Sequence, residues 1–241
     1  MIAVDEARRA ELAAGLEQVR QRIAAATREA GRVDEPTLVV VTKFFPVSDL
    51  VALAELGVTD VGESREQELH EKVDALREAR PDLLGTPTRH FIGQLQSKKA
   101  KRVGSLVDVV QSLDRPKLVP LLDAAGSERD TPLDVLLQVD LEEESRGRGG
   151  VSPADLPSLA EAAEQATGLR LRGLMAVAPR DEEPERAFAR LADIRENFLT
   201  NHPEARVLSA GMSGDLEAAV KIGATHLRVG SAILGSRPAA R

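Results

Sequence analysis

The run Leu38-Val39-Val40-Val41-Thr42-Lys43 is apolar and β-branched until its last residue, and Phe44 and Phe45 follow directly. Such a run reads as a buried strand that ends in an amine. Burial among apolar groups destabilises the ammonium form, lowers the lysine pKa and leaves a neutral amine able to attack an aldehyde near neutral pH. Schiff-base chemistry at Lys43 is one reading, and a strand-end lysine that snorkels to solvent is the other.

Upstream, Leu12, Leu16, Val19 and Ile23 recur at helical spacing between Asp5 and about Ala30, and Gly31 stops the pattern. An amphipathic helix therefore precedes the first strand. Downstream, strand-like and helix-like runs alternate without interruption. The strand candidates are 38–42, 60–62, 89–93, 107–111, 133–139, 170–175, 206–210 and 226–230, with helix candidates at 47–56, 65–79, 97–103, 115–125, 153–166, 184–200 and 215–222. Ser48 before Asp49 and Ser152 before Pro153 are start signals, where a hydroxyl caps free N–H groups or proline fills the first turn. Regular alternation argues for parallel strands with crossover helices, and eight units in about 210 residues match a closed barrel rather than an open sheet. The expected fold is a single α/β domain over 1–241, a TIM-type (β/α)8 barrel with an extra N-terminal helix. The stretch 142–150 reads as a polar loop within its fifth unit.

Barrels carry their chemistry at the C-terminal ends of the strands, and Lys43 stands at such an end. The loop Ser209-Ala210-Gly211-Met212-Ser213-Gly214-Asp215 follows the seventh strand, and Gly230-Ser231-Ala232 follows the eighth. Glycines let a backbone approach an oxygen closely, while hydroxyls and helix N-terminal N–H groups donate to it. Ordinary turns favour the same residues, so the weight lies in their joint position after strands seven and eight, the usual phosphate site of a barrel. Arg228 stands two residues before Gly230, so both face the same way. An arginine that points into a barrel must be paired or face a ligand. A guanidinium keeps its proton, so beside a pyridine nitrogen it would leave that nitrogen unprotonated and weaken the ring as an electron sink.

The remaining ionisable candidates carry less. His90 and His226 read as buried, hydrogen-bonded structural histidines, because no His/Asp/Glu pair has metal-ligand spacing. Glu63 at the second strand end is an acid/base group or, more simply, a helix-cap carboxylate. Neither a Gly-x-Ser-x-Gly elbow nor a nucleotide-binding Gly-x-x-x-x-Gly-Lys loop occurs.

Composition removes whole classes of function. Of 241 residues 42% are hydrophobic, enough for a large core, and the formal net charge of -7 argues against a general nucleic-acid surface. The short basic patch Lys98-Lys99-Ala100-Lys101-Arg102 lacks interleaved aromatics for base stacking and reads as a solvated helix face. Without cysteine there are no disulfides, thiolate metal sites or cysteine nucleophile. No stretch approaches a transmembrane length, and the mixed charges from Asp5 to Glu11 do not read as a leader, so a soluble, unexported, cytoplasmic protein is expected. A monomer is the expected state. Tyr and Trp are absent, which excludes any phenolic acid/base from this chain.

Taken in order, Val40-Val41-Thr42-Lys43, Val61-Gly62-Glu63, His90-Phe91-Ile92-Gly93-Gln94-Leu95-Gln96-Ser97-Lys98, Gly173-Leu174-Met175, Gly211-Met212-Ser213-Gly214-Asp215 and Arg228-Val229-Gly230-Ser231-Ala232-Ile233-Leu234-Gly235 resemble the pyridoxal phosphate homeostasis proteins over nearly the whole chain. The resemblance implies a barrel like the N-terminal domain of bacterial alanine racemase, with pyridoxal 5'-phosphate held as a Schiff base on Lys43. Ser213, Gly230 and Ser231 would bind phosphate with Met212 in the same loop, Arg228 would face the pyridine nitrogen, and Ser64 would lie near the ring. The family is credited with binding and supplying the cofactor and balancing vitamin B6 pools without a firm turnover, so apo forms of pyridoxal phosphate enzymes are the implied partners. This chain departs from the family in reading Gly62-Glu63-Ser64 where Gly-Glu-Asn is common, which replaces an amide by a shorter hydroxyl. The fifth strand end, usually an Asn-bearing segment before Glu, Lys and Gly, reads Gln138-Val139-Asp140-Leu141-Glu142 with Arg146 and Gly147 downstream.

Two enzyme classes compete with a carrier. Racemisation in the resembling fold uses the lysine on one face and a tyrosine from a second domain on the other, and this chain has neither tyrosine nor that domain. A slow one-base reaction through Lys43 stays open. A lysine-dependent aldolase would share the lysine and the phosphate site but has no need of Arg228 beside a ring.

Overall fold

The computed structural model describes residues 2–142 and 149–236, and Arg146 and Gly147 lie outside the described residues. Helix α1 (Glu6–Glu29) opens the chain. There follow β1 (Thr37–Val41), α2 (Val47–Glu55), β2 (Asp60–Glu63), α3 (Glu66–Ala79), β3 (Thr88–Phe91), α4 (Ser97–Leu106), β4 (Val109–Leu113) and α5 (Val119–Gly126). The second half runs β5 (Leu133–Val139), α6 (Leu156–Gln165), β6 (Leu169–Ala176), α7 (Pro184–Asn201), β7 (Val207–Ser209), α8 (Leu216–Lys221), β8 (His226–Val229) and a short α9 (Ser231–Leu234). Neighbouring strands pair in parallel and β8 returns to β1, closing the barrel in chain order. The expected (β/α)8 architecture with its extra helix is the observed one.

The differences are local. Gln111, expected at a strand end, lies within β4 and is fully buried. Ser48 falls inside the first turn of α2, whose N-cap is Pro46. Ser152 caps no helix: its Oγ accepts from Asp155 N at 3.1 Å and donates to Asp155 Oδ2 at 2.8 Å, tying the turn that leads into α6. The four residues of α9 are too few to show a helical period in sequence. The basic patch on α4 is answered by carboxylates, with Lys99 and Arg102 on Glu66 at 3.1 and 3.0 Å and Lys101 on Glu128 at 2.6 Å. Among the described residues no helix is long and apolar enough to cross a membrane.

Helix α1 does more than precede the barrel. Asp5 Oδ1 caps it by accepting from Ala7 N at 3.0 Å, and Leu12, Leu16, Val19 and Ile23 are buried along one stripe. The helix packs on α2, α8 and α9. At Gly15 its backbone touches α9 so closely that a Cβ would stand 2.8 Å from Ile233 O. Arg8 of α1 donates to Leu234 O at 3.0 Å and pairs with Asp49 of α2 at 2.8 Å. Arg22 donates to Ser213 O at 3.0 Å and pairs with Glu217 of α8. The extra helix thus clamps both loops that were read as a phosphate site.

Inside the barrel His226 hydrogen-bonds Thr225 Oγ1 at 2.9 Å. Burial pushes its imidazole down to about 4, helped by the nearby His90, Arg172 and Arg228 and opposed by Asp60. The folded pKa lies below the unfolded one, so this contribution to stability is present above pH 6.5 and is lost as pH falls from there towards 4. Between pH 7.5 and 5 the native protein is expected to lose about 2 kcal/mol more than His226→Asn. Urea midpoints of the two proteins at both pH values check this, and parallel pH dependences would contradict it.

Candidate functional site

Strand alternation divides the end of β1 into two environments. Val41 and Lys43 line the cleft at the barrel mouth, while Thr42 between them turns outward to the helix layer. There Lys72 of α3 donates to Thr42 O at 2.7 Å and to Glu63 Oε1 at 2.5 Å, and Thr42 Oγ1 donates to the same carboxylate oxygen at 2.5 Å. Lys72 and Glu63 are both buried. Burial raises the Glu63 pKa by more than Lys72 and Thr42 lower it, and its Oε2 has no hydrogen-bond partner among the described residues. The helix-cap reading of Glu63 is therefore incorrect: α3 has Arg65 at its N-cap, and Glu63 belongs to a buried ion pair one residue removed from Lys43.

The chain leaves Lys43 through Phe44, which has φ 71°. A left-handed conformation at a bulky residue costs about 1–3 kcal/mol and persists where its surroundings impose it. Here Phe44 N donates to Glu68 Oε2 at 2.8 Å, and the Arg65 guanidinium lies 5.4 Å from the ring centroid. The Lys43 amine is 6.0 Å from the same centroid. The turn thereby holds the ring beside the half-buried lysine.

At the other wall, Arg228 is buried, and its Nη1 donates to Ser209 Oγ at 2.7 Å while Nη2 donates to Ala176 O at 2.8 Å. The arginine is thus paired, and it also lines the cleft. Burial pushes its pKa down to about 10, opposed by Asp215, so the group remains cationic at neutral pH. Gly211, at φ 92°, turns the chain after β7, and a Cβ there would stand 2.6 Å from Ala219 Cβ. Asp215 Oδ1 then accepts from Met212 N at 2.5 Å. The Ser231 and Ser213 hydroxyls are 3.3 Å apart, and Ala232 N points at Ser213 Oγ from 3.4 Å. These long contacts leave both hydroxyls available to a better acceptor.

The resulting cleft has a volume of about 400 Å³ and brings together Lys43, Met212, Ser213, Arg228, Gly230 and Ser231. Ser64 is not among the lining residues. Phe44, Phe45, Ile92, Gly214 and Ser236 line it as well. Ile92 sits in the His90-Phe91-Ile92-Gly93 segment and could have been assigned to the rim from strand parity; Ser236 carried no signal.

Residues 15–238 match the family described as alanine racemase, N-terminal domain. The pyridoxal phosphate homeostasis protein of Mycobacterium leprae is 38% identical over 245 residues, covering 95% of this chain and 93% of that protein. The protein of the same name from Escherichia coli K12 is 35% identical over 233 residues, covering 94% and 97%. Among solved structures, PipY of Synechococcus elongatus with PLP bound superposes with a TM-score of 0.78 at 28% identity, covering 93% of this chain and 100% of that one. Alanine racemase from Streptomyces coelicolor shares the fold, with a TM-score of 0.74 at 20% identity, and this chain spans 59% of its length. A match over so much of the chain, at such identity to proteins of one name, places this protein in the alanine racemase N-terminal domain family, among the pyridoxal phosphate homeostasis proteins.

Proposed function

We propose that this protein binds pyridoxal 5'-phosphate in the cleft at the barrel mouth, holds it covalently through Lys43, and serves the supply and balance of vitamin B6 rather than a turnover of its own. The observation that carries the reading is the convergence of an amine, a buried guanidinium and a pair of loosely engaged hydroxyls in one 400 Å³ space. That donor set fits the cofactor group by group: Lys43 for the carbonyl, Arg228 for the ring nitrogen, and Ser213, Ser231 and the neighbouring backbone N–H groups for the phosphate. The names of the relatives and the PLP-bound PipY structure support the same assignment.

When bound, the cofactor supplies an electrophilic carbonyl and a conjugated ring able to withdraw electrons. The chain supplies the rest. Lys43 provides the attacking nitrogen, and Phe44 and Ile92 supply apolar surface around it. Arg228 keeps its proton at neutral pH and so leaves a ring nitrogen beside it without one, which limits carbanion chemistry. No tyrosine is present in the chain to act as a second base. In this reading the protein acts as a single cytoplasmic domain and a monomer, and passes the cofactor to apo-enzymes.

Uptake of pyridoxal phosphate by the purified protein, followed by borohydride reduction and peptide mapping, tests the assignment. A phosphopyridoxyl mass on Lys43 is expected, and failure to take up the cofactor would overturn it. Deuterium exchange at the α-carbon of amino acids separates carrier from enzyme, with no exchange expected.

The phosphate assignment has its own test. Ser213→Ala or Ser231→Ala is expected to weaken pyridoxal phosphate binding roughly tenfold to a hundredfold, the equivalent of one hydrogen bond to a charged group, and to leave binding of unphosphorylated pyridoxal unchanged. Equal losses for both ligands would refute a phosphate role.

A further inference from the structure

Barrel interiors are ordinarily filled by branched apolar side chains. Here a line of polar groups crosses the interior instead. Arg228 Nη1 lies 2.7 Å from Ser209 Oγ, Ser209 Oγ lies 2.7 Å from Gln111 Oε1, Gln111 Nε2 lies 2.9 Å from His90 Nδ1, and His90 Nε2 lies 2.9 Å from Asp60 Oδ1. Ser209 and Gln111 are fully buried, and His90 and Arg228 nearly so. Apart from Arg228, none of these side chains lines the cleft described above.

With the Gln111 carbonyl towards Ser209 and a neutral imidazole at His90, every bond between the two ends runs one way. A guanidinium only donates. The Asp60 carboxylate is opposed by burial, yet hydrogen bonds from His90 and Thr59 hold it below its ordinary range, so it is ionised and only accepts. Ser209 accepts from Arg228 and gives its own hydrogen to the Gln111 carbonyl, which can only accept. The Gln111 amide then donates to His90 Nδ1, which leaves the imidazole hydrogen on Nε2, directed at Asp60. All the dipoles point the same way, from a buried cation to a carboxylate that lines a second cleft at the far end of the barrel. Aligned chains of this kind polarise one another, and a break leaves buried groups unpaired.

We propose that Ser209, Gln111, His90 and Asp60 are positioning residues for Arg228: they form a one-directional relay that fixes the guanidinium in the cleft and couples its charge to Asp60. As far as it concerns the bound cofactor, the inference rests on the pyridoxal phosphate reading. With the relay intact, Arg228 presents one fixed orientation and one charge environment to the ring. With it broken, the guanidinium retains Ala176 O but loses its lateral constraint.

Experiments on the ligand-free and on the loaded protein test this. In the ligand-free native protein, ¹H–¹⁵N spectra are expected to show His90 with its hydrogen on Nε2 and Nδ1 as an acceptor. An Nδ1–H form would reverse Gln111, break the chain and overturn the relay whether or not the cofactor assignment stands. With pyridoxal phosphate loaded, Gln111→Leu and Ser209→Ala are expected to shift the absorption band in the same direction as Arg228→Gln and to release the cofactor roughly tenfold faster, as loss of an orienting partner does elsewhere. Borohydride trapping on Lys43 should persist in these variants. Asp60→Asn keeps an acceptor for His90 but removes the charge, so a partial band shift at unchanged thermal stability is expected. Native spectra and release rates in folded Gln111→Leu and Ser209→Ala proteins would refute the proposal.

Discussion

Lys43→Ala protein incubated with pyridoxal phosphate and borohydride is expected to carry no phosphopyridoxyl group, while its circular dichroism and thermal transition stay close to those of the native chain. The loss should be complete rather than graded, because the nitrogen that forms the bond is gone and its neighbours cannot replace it. Lys72 is engaged by Glu63 and Thr42 in the helix layer, and Lys43 is the lysine lining the cleft among the described residues. The fold should survive because Lys43 is half-buried at a barrel mouth and lies past the last paired residue of β1. Reversible binding through Ser213, Ser231 and Arg228 should remain measurable as a weaker, non-reducible complex. A reducible adduct in Lys43→Ala would place the reactive amine elsewhere and sink the assignment.

The second large effect lies under the site rather than in it. Lys72→Met removes the cation facing a buried Glu63 and is expected to destabilise the protein by about 3–5 kcal/mol at pH 8, the range for breaking a buried pair on one side. Glu63→Leu added to Lys72→Met should recover much of that loss, since no buried charge is left unanswered. The pH dependence has a definite sign. Burial already raises the Glu63 pKa, and removing Lys72 raises it further. A raised folded pKa stabilises below the unfolded value of 4.5 and loses that contribution as pH rises through the folded pKa. The deficit of Lys72→Met should therefore shrink as the pH is lowered from 8 towards 5. Denaturant titrations at both pH values decide it, and a pH-independent deficit would show that the lost contact to Thr42 O, not the charge, is the cause.

The barrel was legible because its elements alternate so regularly that even weak strands could be counted. β2 and β3 are short and carry charge, Asp60 and Glu63 in one, Arg89 and His90 in the other. Asp60 and His90 are members of the relay, Glu63 is the partner of Lys72, and Arg89 pairs with Asp108, so the charges that made these strands look least like strands are each answered by a partner. Lys43, Ser213, Gly230, Ser231 and Arg228 could be placed in advance because topology alone puts strand ends together. Pairings between distant residues could not. Nothing in a linear reading joins Ser209 to Gln111 across 98 positions or turns Glu63 towards Lys72. The Ser64 expectation came from family resemblance at a position where this chain differs, and the cleft does not include that side chain.

The contact between α1 and α9 bears on the order in which this molecule can complete its cleft during synthesis. Arg8 and Leu234 are 226 residues apart, and β1 has no second neighbour until β8 exists. Contacts of such long range pay their loop-closure entropy late. A growing chain would therefore carry Lys43 for most of its translation while Ser213, Arg228 and Ser231 were still missing. Under the proposed reading, capture of the cofactor would in this sense report that the polypeptide has been made through to β8 and α9 and has closed on itself.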